Sequence, residues 1–324
     1  MRQVTKILMM GPPASGKTSI RYCFFRGLKP EIVLGNPPDP TYREEERFDH
    51  FDFLLRIIDL GGQESFMGAW SKGDKEKELF TAVDTVIYVV DAADQDHRNL
   101  LKAVRMLQRV ASSTSKYSPE AKIHILLHKT DLVKPMDTVA ELKEELTKAI
   151  STIPTTQKET VAFHETSIVD GTANMALRTI INQAMPTYRK ISELFEKAIS
   201  ENKDLQLIQL LAPRKSKMVT GKGRALVVAE AATSDQKTDQ AGVRMDFSLL
   251  IKRLNEAAGE LGEGKLEYSL MVVETGKLVI LKDLGEYSVI MESKIEPNEK
   301  LFLDSADRVI RIIKDVTELT TQRQ

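Results

Sequence analysis

Four short stretches hold the residues in this chain whose types and spacing could do chemistry. The first is GPPASGKTS, residues 11–19. Glycine, four residues, then glycine, lysine and threonine is the pattern of a phosphate cradle. Backbone N–H groups from Ala14 through Ser15, Gly16, Lys17 and Thr18 can point into one concavity that opens between Gly11 and Ser19, at a helix N-terminus. Gly16 lets the chain approach a phosphate closely. Lys17 can neutralise β and γ phosphates, and the Thr18 hydroxyl can ligate Mg²⁺. Pro12 and Pro13 lack an N–H, but they sit in the first half of the loop, where fewer donors are needed. The plainer reading is a glycine-rich turn before a helix.

The second stretch is DLGGQE, residues 59–64. Asp59 can hold Mg²⁺ through water, Gly62 offers an N–H to a γ-phosphate, and Gln63 can orient an attacking water. Taken alone, it also reads as a left-handed turn with a solvent glutamine. The third is HKTD, residues 128–131. The Asp131 carboxylate can accept from the N1–H and 2-amino group of guanine, donors that adenine lacks, so it would select for guanine. Lys129 can lay its alkyl stem on the ring, and His128 either belongs to the base site or caps a strand end. In the fourth, ETSI at 165–168, the Ser167 N–H can meet the guanine oxygen, with Ile168 beside it, or the stretch caps the next helix.

These stretches must be positioned by strands and helices that the pattern also predicts. VTKILMM (4–10) reads as a buried strand running into the glycine loop, and 18–28 as a helix with an apolar face. Residues 51–60, 84–92, 121–132 and 161–168 are apolar runs rich in β-branched residues, and the first three carry an aspartate near the carboxyl end. Helical patterns lie between them at 95–112, 138–150 and 172–184. Alternation of this kind predicts a mainly parallel sheet covered on both faces, with ligand chemistry at the carboxyl ends of the strands. After Pro186 the order changes to helix (187–201), two strands, helix (246–261), a three-strand meander (266–294) and a last helix. Consecutive strands joined by turns are antiparallel. Residues 1–186 are therefore expected to form one α/β domain and 187–324 a smaller α+β domain.

Composition narrows the classes. The 324 residues carry a formal net charge of −1, so no global field draws the chain to nucleic acid or an anionic membrane. The basic run at 212–224 reads as a solvated hairpin loop, with binding of anionic lipid or nucleic acid as its alternative. A single cysteine, Cys23, excludes an intramolecular disulfide and a multi-cysteine zinc site, and reads as buried. The N-terminal apolar run is too short for a signal peptide core or a membrane span. The expectation is a cytoplasmic protein with no direct membrane anchor and no nucleic-acid partner, recruited to membranes through other proteins.

Together, SGKTSIR (15–21), DLGGQESFM (59–67), VDTVIYVVDA (83–92), SPEAKIHILLHKTDLV (118–133) and ETSI (165–168) resemble the Ras-like small GTPases, and within them the Rag subfamily. The histidine of HKTD, where Ras-like proteins usually have asparagine, is the Rag habit. The resemblance implies a GTP/GDP-binding switch with Mg²⁺ held by Thr18, Asp59 and Thr41, the last in DPTYREEE, where a solvent threonine is the alternative. It implies that Lys17 and Gln63 serve hydrolysis, and that residues 187–324 are a roadblock-like, longin-like domain. Through that domain the chain would form a homodimer, or a heterodimer with a related GTPase. Regulatory GTPase-activating or exchange proteins and a roadblock-type scaffold are the further partners implied. No arginine in these motifs stabilises the transition state in cis, so intrinsic turnover should be slow. The competing readings are a nucleotide-dependent assembly module with little hydrolysis, and an Arf-like or bacterial polarity-type GTPase.

Overall fold

A computed structural model describes residues 3–26, 28–38, 43–50, 53–60, 73–94, 96–133, 137–151, 161–212, 226–233, 269–272, 276–284 and 287–321. They pack as two units, one drawn from residues up to 180 and the other mainly from 181–324.

The first unit is built on a six-stranded sheet. Its strands are β1 (Gln3–Met10), β2 (Arg43–His50), β3 (Phe53–Leu60), β4 (Thr85–Asp91), β5 (Lys122–His128) and β6 (Val161–Thr166), in the order β2-β3-β1-β4-β5-β6. The β3–β1, β1–β4, β4–β5 and β5–β6 pairs are all parallel. Central parallel strands are covered on both faces, which is why they read as unbroken apolar runs. Ile7, Leu8, Met9 and Met10 are all wholly buried. The strand order reverses beside β1, so the loop after β1 lies at the switch point where such sheets bind ligands.

The helices of this unit are α1 (Lys17–Arg26), α2 (Pro30–Gly35), α3 (Gly73–Phe80), α4 (His97–Tyr117), α5 (Asp137–Ser151) and α6 (Thr172–Ala184). Ala103, Met106, Leu107 and Val110 form the apolar stripe of α4 and join Leu8, Tyr88, Val90, Ile125 and Leu127 of the sheet in one core. Fully burying each large member of that stripe contributes roughly 1.5–3 kcal/mol. The Tyr88 hydroxyl, buried in this core, donates to the Ala103 carbonyl at 2.7 Å, so the core carries no unpaired phenol. Asp96 caps α4 by accepting from the Arg98 N–H at 2.8 Å. Lys6, on β1, caps the other end of a different helix: its ammonium donates to the carbonyls of Glu78 (3.0 Å) and Thr81 (2.9 Å) at the C-terminus of α3.

Two elements depart from the sequence reading. β2 was not expected, because REEERFDH has no apolar alternation. Its pairing with β3 is supported instead by an ion pair, Glu45 Oε1 with Arg56 Nε at 2.7 Å. The apolar run at 121–132 stops being a strand at His128, and Thr130–Leu132 form a 3₁₀ turn.

The second unit has α7 (Pro186–Glu201), β7 (Leu205–Ala212), β8 (Leu226–Ala232), β9 (Ser269–Val272), β10 (Lys277–Asp283), β11 (Ser288–Ile295) and α8 (Glu299–Thr321). Pro186 opens α7, a position where its missing N–H costs nothing. The sheet order is β8-β7-β11-β10-β9, with every pair antiparallel. β7 and β11 at its centre are buried on both faces, and α7 and α8 pack on the sheet through Ile191, Phe195, Phe302, Val309 and Ile313. The helix expected at 246–261 and the basic run beyond Ala212 lie outside the described residues.

Candidate functional site

The loop after β1 has the backbone of an anion cradle. Gly11 (φ +147°), Ala14 (φ +59°) and Gly16 (φ +95°) alternate with ordinary residues. Positive φ at intervals turns successive N–H groups inward, toward one concavity. Gly11 is required by sterics as well: a Cβ there would lie 2.1 Å from the Val89 carbonyl oxygen of β4. α1 begins at Lys17, so the positive end of its dipole faces the same loop. The Lys17 ammonium is buried and donates to the carbonyls of Gly11 (3.0 Å) and Pro12 (2.6 Å) and to Ser15 Oγ (3.3 Å). The cation is thereby fixed over the loop. Thr18 and Ser19 follow on the first turn of α1, partly exposed.

The carboxyl end of β5 is bolted to this loop at two points. The His128 ring lies against Gly16, where an added Cβ would come within 2.4 Å of the ring Cδ2 and 2.9 Å of Nε2. Its Nδ1 is 3.1 Å from Thr166 Oγ1, and that hydroxyl donates to the Leu127 carbonyl (3.4 Å). Thr166 therefore accepts from Nδ1–H, and this network places the Nε2 lone pair on the side of the phosphate loop. Burial, and after it the Lys129 charge, push the His128 pKa down to about 4, against the opposite pull of Asp131 and Asp91. The imidazole is neutral at pH 7. So His128 is a buried brace between β5, β6 and Gly16, rather than a polar cap exposed at a strand end.

The second bolt is Lys129. Its ammonium donates to the Ala14 carbonyl at 2.8 Å and pairs with Asp91 Oδ2 at 2.5 Å. Its backbone is left-handed, φ +65°, and it leads straight into the 3₁₀ turn that presents Asp131 to solvent.

At the end of β6 the ETSI stretch starts the next helix, the second of its two readings. The Ser167 N–H is taken: it donates to Thr172 Oγ1 at 2.7 Å. The Ser167 hydroxyl accepts from the Val169 N–H at 2.9 Å, which makes a tight local turn. The N–H of Ile168, between them, has no partner among the described residues. Ser167 thus serves the start of α6.

A family model described as the Gtr1/RagA G protein conserved region matches residues 6–237. The chain belongs to this family. It is 33% identical over 152 residues to the GTP-binding protein GTR1 of Saccharomyces cerevisiae, covering 45% of this chain and 46% of that protein. It is 30% identical over 200 residues to the Ras-related GTP-binding protein A of Dictyostelium discoideum, covering 59% and 62%. It is 22% identical over 204 residues to the yeast GTP-binding protein GTR2, covering 61% and 56%. The chain thus spans about half of the length of the curated relatives it matches. The resemblance to Rag-type GTPases read from the motifs is borne out, and the match runs past the phosphate loop through β7 and β8.

The remaining motif residues lie at the end of β3 or beyond it. The Asp59 backbone lies on β3 opposite Met9, one strand over from the loop and level with its start. Among the described residues no group of three or more His, Cys, Asp or Glu side chains could hold a metal ion. Thr41, Gly62 and Gln63 lie outside the described residues.

The sequence reading left three site residues without a role. Asp91 was noted only as an aspartate at a strand end, and its ion pair with Lys129 depends on the β4–β5 register, which sets Asp91 beside His128. Thr166 had no signal beyond its place in ETSI. Val89 acts through its backbone carbonyl, which no side-chain pattern reports.

Proposed function

We propose that this chain is a guanine-nucleotide switch: it binds GTP and GDP, hydrolyses GTP slowly and presents its nucleotide state to partner proteins. The observation that carries the reading is the double bolt between the phosphate loop and the base strand, Lys129 on Ala14 and His128 on Gly16. A cradle for phosphates and a carboxylate for a base are useful together only if the distance between them is fixed.

In this reading the N–H groups from Ala14 to Thr18 receive the phosphates and Lys17 turns its ammonium from the loop carbonyls to the β and γ oxygens. Asp131 accepts from guanine N1–H and the 2-amino group, and the Ile168 N–H donates to the guanine oxygen. Thr18 and Asp59, with Thr41, would hold a Mg²⁺ ion, whose charge offsets that of the phosphates. Gln63 orients the attacking water. The slow rate follows if no arginine of these motifs reaches the phosphates; Arg21, four residues after Lys17, is wholly buried.

The second unit is the assembly module in this reading. Among the described residues β9 is an edge strand and exposes Leu270 and Val272, and such an edge is a template for a second chain. A second copy or a related GTPase is the partner proposed. Residues 187–324 would be that domain and 1–186 the GTPase domain. No described helix is long and apolar enough to cross a membrane, and partner-mediated recruitment from the cytoplasm is the mode proposed.

The test uses the purified full chain. GDP should displace a fluorescent GDP analogue at least roughly a hundredfold more effectively than ADP, and Asp131→Asn should abolish that preference. In the same preparations Gln63→Leu should slow single-turnover GTP hydrolysis by roughly tenfold or more. Equal competition by ADP and GDP would overturn the reading.

A further inference from the structure

Asp91 is explained neither by the phosphate cradle nor by the base motif, yet its carboxylate is held on both sides. Oδ1 accepts from the Ala93 N–H at 3.0 Å. Oδ2 accepts from the Lys129 ammonium at 2.5 Å, and the same ammonium donates to the Ala14 carbonyl. Both side chains are three-quarters buried or nearly so, 22% exposed for Asp91 and 29% for Lys129. Asp91 is also fixed in register: it lies opposite His128, and the Ala92 N–H donates to the His128 carbonyl at 2.7 Å.

What the ion pair holds is a backbone shape. Lys129 adopts φ +65°, a conformation that costs any residue with a Cβ. Its carbonyl accepts from the Leu132 N–H at 3.0 Å and closes the turn that carries Asp131. Local sequence gives a lysine no reason to stay left-handed. The two bonds at its ammonium do, because they fix the far end of the side chain while the strand fixes the near end. Released from Asp91, Lys129 would relax toward negative φ, and Asp131, two residues on, would turn with it.

We infer that Asp91 is a positioning residue for base selection: by clamping Lys129 onto Ala14 it sets the left-handed turn that aims Asp131. This rests on the guanine-nucleotide reading above. Asp91 touches no nucleotide; its effect passes through Lys129.

The experiment measures competition by GDP, IDP and ADP against a fluorescent GDP analogue on the full chain. IDP lacks only the 2-amino group, so the GDP-to-IDP ratio reports how well the Asp131 carboxylate is aimed. A merely stabilising ion pair would leave that ratio alone. Asp91→Asn keeps the size and the acceptor for Ala93 while removing the charge. It should lower the ratio by about fivefold, the worth of one badly aimed charged hydrogen bond. Lys129→Met keeps the alkyl stem and should lower it as much, and adding Asp91→Asn to Lys129→Met should lower it no further. If the parent chain binds ADP as well as GDP, the guanine reading itself fails, and this inference with it. If the parent selects GDP and Asp91→Asn retains the parent ratio within twofold, the inference is overturned while the guanine reading stands. Should Asp91→Asn not fold, Lys129→Met carries the decision, and a parent-like ratio there overturns the inference equally.

Discussion

Acidification should weaken the first unit through two buried histidines, His128 and His124, and the share of His128 can be isolated. His128 titrates at about 4 in the folded chain, whereas an exposed histidine titrates near ~6.5. The unfolded chain therefore takes the proton first. Stability that is complete above the unfolded value is lost as pH falls toward the folded one, and the slope lies between about 6.5 and 4. Between pH 7 and pH 5 the loss from this residue alone comes to roughly 1.8 kcal/mol, a large part of the 5–15 kcal/mol that holds a typical domain. His124 adds in the same direction: it is buried on β5, its Nδ1 lies 3.0 Å from His164 Nε2, and burial with the neighbouring His164 and Lys122 pushes it down to about 4. The assay is urea unfolding of the nucleotide-free chain at pH 7 and pH 5, followed by hydrogen exchange in peptides that cover β5. His128→Asn should keep a partner for Thr166 and remove the proton, so its loss of stability over that interval should be smaller by roughly 1.8 kcal/mol. If the parent and His128→Asn lose the same stability, His128 is not a buried neutral group and the brace between Gly16 and Thr166 is wrongly drawn.

Two further outcomes follow from named contacts. Gly11→Ala would place a methyl 2.1 Å from the Val89 carbonyl at φ +147°, so strain and crowding together should cost roughly 2–6 kcal/mol; a loss under 1 kcal/mol in urea denaturation would refute the close approach. Val272→Lys, at a position 72% exposed on β9, should leave unfolding of the chain nearly unchanged while halving its mass by light scattering. A parent that already has the mass of one chain would remove β9 from consideration as the joining edge.

The parallel sheet was legible because its strands are buried on both faces and so must be written in apolar, β-branched residues. TVIYVVD and KIHILLH could hardly be anything else between helical patterns. β2 was invisible for the complementary reason: a strand at the sheet edge can be held by its neighbour's backbone and an Arg56–Glu45 pair, and leaves no apolar trace. The phosphate loop was legible because its chemistry depends on residue types at fixed spacing along the chain. The bolts between Lys129, Asp91 and Ala14 were not, because they depend on which strands become neighbours and in what register. The partner of the Ser167 N–H was not legible for a local reason: Thr172, five residues on, takes it, and a motif of four residues does not reach that far.

Lys129 also has a consequence for how the molecule comes into being. Its bond to the Ala14 carbonyl spans 115 positions of sequence, and the brace from Thr166 through His128 to Gly16 reaches further still. Contacts so distant in the chain close late, since the entropy of the intervening loop must be lost before they return anything. The cradle at residues 11–16 therefore leaves the ribosome well before the strands that finish it. Lys129 can reach Ala14 once β5 has formed, but the His128 brace lacks Thr166 until β6 has been synthesised and has docked, so the full set of braces arrives with residue 166 rather than with residue 18.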